Sequence, residues 1–222
     1  MSMGATGLAH VESDGEPFVE ALSPTVTMYK QSVGTMDNNA YLLATPSGGL
    51  LIDAAARPQI LRALVAGSKV DAIVTTHRHH DHIGALADLA VATGARLYAG
   101  TPDVPVIRND ARAGALTGVW DGDVIAFGDG QVEVIGLVGH TPGSIALVYR
   151  GSDVHLFTGD SLFPGGPGRT RSPRDFASLM ADLETKIFGV LPDTTHVHPG
   201  HGDDTTLRAE RPRLPEWRAR GW

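Results

Sequence analysis

Thr75-Thr76-His77-Arg78-His79-His80-Asp81-His82-Ile83-Gly84 decides how the rest of this chain is read. The run before it, Ala72-Ile73-Val74, has the character of the end of a buried strand. The run after it, residues 85–92, reads as a helix. His77, His79, Asp81 and His82 therefore share one strand-to-helix turn. A tight turn points alternate residues into one cavity. Imidazole and carboxylate together suit Zn²⁺ and similar divalent metals.

Composition narrows the options around this turn. With 222 residues, 42% of them hydrophobic, the chain can bury a substantial core. Its formal charge of −7 argues against general nucleic-acid binding. It contains no cysteine, which excludes disulfides, thiolate metal sites and a cysteine nucleophile. The ten histidines become the place to look for metal binding. No apolar run approaches the roughly 20 residues of a membrane helix. The first fourteen residues lack a basic segment followed by an apolar core, so a cytoplasmic protein is expected.

Residues 1–22 are small, polar and glycine-containing, and read as a flexible N-terminal arm. No composition break marks a linker later, so 23–222 reads as a single domain. Strands are expected at 26–33, 40–45 and 49–53 as an antiparallel meander. A βαβαβ alternation follows: helix 58–66, strand 70–75, helix 85–92 and strand 96–99. Residues 102–118 read as a short helix or an inserted loop. Hairpins follow at 124–138 and 145–158, then a helix over 175–188 and a strand at 195–198. The order of strands, then helices, occurs twice, which suggests α/β layers around a pair of sheets.

Three more candidate ligands stand where an apolar strand meets a glycine-rich turn. They are His140 in Gly139-His140-Thr141-Pro142-Gly143-Ser144, Asp160 after Gly159, and His201 in His198-Pro199-Gly200-His201-Gly202. Glycine lets the backbone turn sharply and lets a metal or substrate approach closely. Five histidines and two aspartates exceed the needs of one tetrahedral Zn²⁺. They fit two metals sharing a bridging carboxylate. Asp53 also ends an apolar run; its expected role is to fix a loop or the ligand turn by hydrogen bonds. His80 should point away from the metals, and His155 should be structural.

These residues resemble the metallo-β-lactamase-fold hydrolases. The His-x-His-x-Asp-His pattern stands at 77–82, and His140, Asp160 and His201 follow in that family's order. Gly139-His140-Thr141-Pro142-Gly143, Phe157-Thr158-Gly159-Asp160-Ser161-Leu162-Phe163, Gly-x-Gly-Arg at 166–169 and His198-Pro199-Gly200-His201-Gly202 are most similar to the glyoxalase II-like branch. Ser144 stands where that branch usually has a second histidine. The resemblance implies an αββα sandwich of the α/β (α+β) class with two divalent metals at one edge. They would be zinc, with iron or manganese as alternatives. It implies that His77, His79 and His140 hold one metal, that Asp81, His82 and His201 hold the other, and that Asp160 bridges. A hydroxide between the metals would attack the carbonyl of a small thioester or ester, with Asp81, His82 and Asp160 as the catalytic residues.

The alternatives are a lactonase or β-lactamase-like amidase, and an iron-dependent persulfide dioxygenase. Arg169 and Arg171 could bind a substrate carboxylate, Phe163 could wall the pocket, and Asn38 lies on a loop that could do the same. The expected partner is a small molecule, with neither nucleic acid nor membrane. Trp217 and Trp222 in the tail could dock on the domain or on a second subunit, which leaves a homo-oligomer open.

Overall fold

The computed structural model describes residues 9–221. Its first sheet has seven strands in sequence order: β1 (Phe18–Ala21), β2 (Thr27–Val33), β3 (Asn38–Ala44), β4 (Gly49–Ile52), β5 (Val70–Thr75), β6 (Arg96–Gly100) and β7 (Leu116–Val119). The first four pair antiparallel. From β4 onward the pairing is parallel. The crossovers are α1 (Pro58–Val65), α2 (Leu86–Thr93) and α3 (Val104–Ala111). Residues 102–118 thus hold both a helix and an edge strand. Phe18–Ala21 pair with β2, so the arm expected over residues 1–22 does not reach that far; residues 1–8 lie outside the described residues.

The second sheet comprises β8 (Val124–Phe127), β9 (Gly130–Gly136), β10 (Ile145–Arg150), β11 (Val154–Gly159), β14 (His196–Pro199) and β15 (Thr205–Thr206). Between them lies a small hairpin of β12 (Leu162–Phe163) and β13 (Gly166–Pro167). The helix α4 (Pro173–Asp182) runs on as a π-wound turn, Leu183–Phe188. It joins β11 to its parallel neighbour β14. α4 starts two residues before the expected 175, at Pro173. Ser172 caps it by accepting from the Asp175 amide, and proline suits the first helical position. The chain then forms α5 (Leu207–Glu210) and α6 (Leu214–Arg220).

Three apolar layers explain why the strands read as continuous hydrophobic runs. Leu42, Leu51 and Ile73 face Leu61, Leu86, Leu89 and Ile107 of the first helices. Their neighbours Leu43, Leu50, Ile52 and Val74 face the second sheet at Phe127, Val134, Leu147 and Phe157. Ala146, Val148, Leu156 and Val197 face Leu179, Leu183, Ile187 and Trp217. The period of two sends alternate residues to opposite layers. The result is the four-layer αββα sandwich that the resemblance implies, with β4, β5, β11 and β14 ending along one edge. Among the described residues no helix is long and apolar enough to cross a membrane.

Candidate metal centre

Sites in open sheets gather at the carboxyl ends of strands, where successive loops leave in different directions. Asp53 follows β4, the histidine turn follows β5, Asp160 follows β11 and His201 follows β14. Asp53 is buried and holds both ends of the turn. It accepts from the Thr76 amide at 2.7 Å, the Thr76 hydroxyl at 2.7 Å and His82 Nδ1 at 2.8 Å. Its φ of 56° lies in the left-handed region, which aspartate tolerates better than most residues. His80–His82 wind into a single 3₁₀ turn. That turn carries Asp81 and His82 into a second donor group, with the His82 ring still 4.2 Å from that of His77, and leaves His80 exposed, as expected.

Two groups of donor atoms result. Those of His77, His79, His140 and Asp160 lie within 4.8 Å of one another, and so do those of Asp81, His82 and His201. Asp160 reaches both groups. Its Oδ1 is 3.3 Å from His82 Nε2, and its Oδ2 is 3.5 Å from both His140 Nε2 and His201 Nε2. A side chain at Gly200 would leave no room for this, because its Cβ would fall 2.3 Å from Asp160 Oδ1.

The donor set fits cations. His79 Nδ1 faces His140 Nε2 at 2.9 Å, and His82 Nε2 faces His201 Nε2 at 3.1 Å. His140 Nδ1 donates to the Arg169 carbonyl and His201 Nδ1 to the Met36 carbonyl, each at 2.7 Å. A carbonyl only accepts, so the outer nitrogen carries a proton and the inner one is the atom left to face a cation. Orienting partners of this kind accompany metal-ligating histidines. His77 Nε2 is buried with no hydrogen-bond partner among the described residues. An orphaned buried imidazole nitrogen is costly unless something absent from a bare chain completes it.

Electrostatics divide the rings. Burial, with repulsion from neighbouring rings, holds His77 well below its usual value and brings His79 down to about 4. Burial also lowers His140. At His82 burial again opposes charge, but the Asp53 and Asp160 carboxylates outweigh it and push the ring up to about 10. Asp160 and Asp81 overcome burial at His201 in the same way, to about 10. Asp160 is buried but lies far below the carboxylate range through His201 and His82, and Asp81 is lowered chiefly by His201. Divalent cations here would take the place of the protons on His82 and His201.

The remaining expected residues spread around this centre. Arg169 and Arg171 line a cavity of about 440 Å³ with His79 and His140. The Phe163 ring lies 6.2 Å from that of His201. Asn38 departs from expectation. It is buried, and its amide donates to the Asp81 carbonyl at 3.0 Å and carboxylate at 2.9 Å, so it positions Asp81 instead of facing a substrate. The Ser144 hydroxyl accepts from the Thr141 amide at 3.1 Å and bonds the Thr141 hydroxyl at 2.7 Å, which holds the turn after His140.

Asp103 escaped the sequence reading. Wholly buried, it accepts from the amides of Arg78 at 3.1 Å and Gly143 at 3.0 Å and from the Thr141 hydroxyl at 2.5 Å. It thus ties the first ligand turn to the His140 turn. It stands at a helix N-cap position yet makes no capping bond, so its local sequence signal points to the wrong role.

The model of the metallo-beta-lactamase superfamily matches residues 33–201, and the chain belongs to that superfamily. Its site is a histidine-rich, binuclear-type metal centre. A hydroxyacylglutathione hydrolase from Polaromonas sp. is 37% identical over 184 residues, covering 81% of this chain and 68% of that protein. One from Gloeobacter violaceus is 41% identical over 138 residues, covering 60% of this chain and 52% of that protein. The chain therefore spans about half to two thirds of the length of these relatives. The solved structure of TTHA1623 in a di-iron-bound form is 34% identical, with a TM-score of 0.70, and covers 82% of this chain and 96% of that one.

Proposed function

We propose that this protein hydrolyses a thioester or small ester, in the manner its hydroxyacylglutathione hydrolase relatives are named for. The observation that carries the reading is the pair of adjacent donor groups with Asp160 reaching both. His77, His79 and His140 would hold one cation, Asp81, His82 and His201 a second, and Asp160 would lie between them. Two such ions supply Lewis acidity and bring the pKa of a water toward neutrality. Asp81, His82 and Asp160 are the residues we assign to catalysis.

The chain's own part is orientation. Asp53, Asn38, Met36 and Arg169 fix the rings and carboxylates from behind, so little reorganisation is left for the reaction itself. Arg169 and Arg171 flank the cavity beside His79 and His140, where a guanidinium fork suits a carboxylate on the substrate. Phe163 offers an apolar wall on the His201 side.

Metal analysis of the purified protein, paired with thioester, lactone and persulfide assays, tests this. The expected result is two metals per chain and preferred thioester cleavage. A preferred lactone or β-lactam would move the substrate class. One iron per chain with oxygen uptake on a persulfide would overturn hydrolysis.

A further inference from the structure

Lys30, in β2, is completely buried and touches none of the candidate ligands. Its ammonium donates to Asp204 Oδ1 at 2.7 Å, the Gly202 carbonyl at 2.8 Å and the Ala9 carbonyl at 3.0 Å. All three of its protons therefore have acceptors, which a buried lysine requires. Asp204 Oδ2 bonds His198 Nδ1 at 2.9 Å, and His198 Nε2 meets His155 Nδ1 at 3.0 Å. Two residues of β3 grip the same loop. Asn39 donates to the Pro199 and Gly202 carbonyls at 3.0 Å each, and the Tyr41 hydroxyl to the Pro199 carbonyl at 2.7 Å. His201 sits in the middle of the segment these groups hold.

We infer that Lys30 is a positioning residue for His201, so that one of the two metal positions is set by a buried ion pair reaching across from the other sheet. This rests on the two-position reading of the centre. A ligand on a loose loop must be ordered when the cation binds, and the cost is subtracted from affinity. Lys30 and Asp204 meet that cost at folding. His77, His79 and His140 have no such link: Thr76, Arg169 and the Asp103 turn hold them instead.

The test uses the full chain, stripped of metal, and the Lys30→Met variant. One readout is hydrogen exchange at the Gly200 and Gly202 amides, which bond the Gly159 and Asp37 carbonyls. The other is zinc titration against a chelator. The expected result is exchange at least about tenfold faster at Gly200 and Gly202 than in wild type, with β5 unchanged. One zinc position should weaken about 10–100-fold, the range for losing an orienting partner, while the other keeps its affinity. Ile187→Val, a core truncation on the far side of the second sheet, controls for general destabilisation. Wild-type exchange at both glycines in Lys30→Met would overturn the inference, and so would the same local losses in Ile187→Val. If Lys30→Met does not fold, Asp204→Asn takes its place with the same readouts and the same criteria. A wild type that binds a single zinc would count against the two-position reading; the exchange measurement would still decide the role of Lys30.

Discussion

Two histidine clusters flank β11, and they are built in opposite ways. In the candidate metal centre most ring pairs meet edge to face, while His77 and His82 are tilted at 50°. His77 and His79 lie at 88°, His79 and His140 at 89°, and His82 and His201 at 77°. Edge-on rings aim nitrogens at a common point. In the second cluster His155, His196 and His198 stack nearly parallel, at 9–13°. They stack because β11 and β14 run parallel in register, with His155 opposite His196 and Phe157 opposite His198. Stacked rings cannot converge on an ion, and both nitrogens of His198 are already bonded. A ligand cluster leaves lone pairs free, whereas a structural cluster closes them on itself.

The largest effect should come from breaking the point where the two halves of the metal centre meet. Asp160→Asn should lose metal and at least about a thousandfold in kcat/KM together, because the residue reaches both donor groups. Metal content and thioester turnover measure it; a metal-loaded variant of wild-type activity would remove Asp160 from the bridge. Asp53→Ala should act one step back. It leaves every candidate ligand in place but frees the His82 ring, and the expected loss is about 10–100-fold in metal affinity. An unchanged zinc affinity would mean the turn holds its shape without Asp53.

The contrast also marks how far the sequence could be read. The seven candidate ligands stood out because each follows an apolar run and a turn residue, a local signal. The sandwich was legible for the same reason: continuous apolar strands separated by helices require cover on both faces. Lys30, Asp103 and Asp204 were not legible, because the bonds that define their roles reach 174 residues from Lys30 to Asp204 and 25 and 40 residues from Asp103 to Arg78 and Gly143. Nothing in the neighbourhood of Lys30 distinguishes a buried strand lysine from an exposed one. Asn38 was misread for a related reason. Its loop position was visible, but the direction of its amide depends on where Asp81 lies.

Arg169 sharpens the comparison from the substrate side. Its carbonyl serves His140, while its guanidinium stands exposed at the cavity. Arg169→Ala should keep the backbone bond, and with it the metals, and raise KM for an anionic substrate about three- to tenfold with little change in kcat. Equal losses in KM for neutral and anionic substrates would remove the charge-recognition role.

The smallest effect belongs to the stacked cluster and reads in stability, not activity. Burial, then repulsion from His198 and His196, pushes His155 down to about 3, while Asp204 pulls weakly the other way. An unfolded histidine takes up its proton near 6.5, so between pH 6.5 and about 3 the unfolded chain binds more protons at this position. The native state therefore has the full benefit of a neutral His155 above pH 6.5 and loses it progressively as the pH falls toward 3. His155→Gln can still bond His198 Nε2 but cannot titrate. In metal-free protein its Tm should fall less steeply than the wild type's across that window. Identical slopes would mean that His155 is protonated inside the fold, and that the second cluster is not closed in the way its stacked geometry indicates.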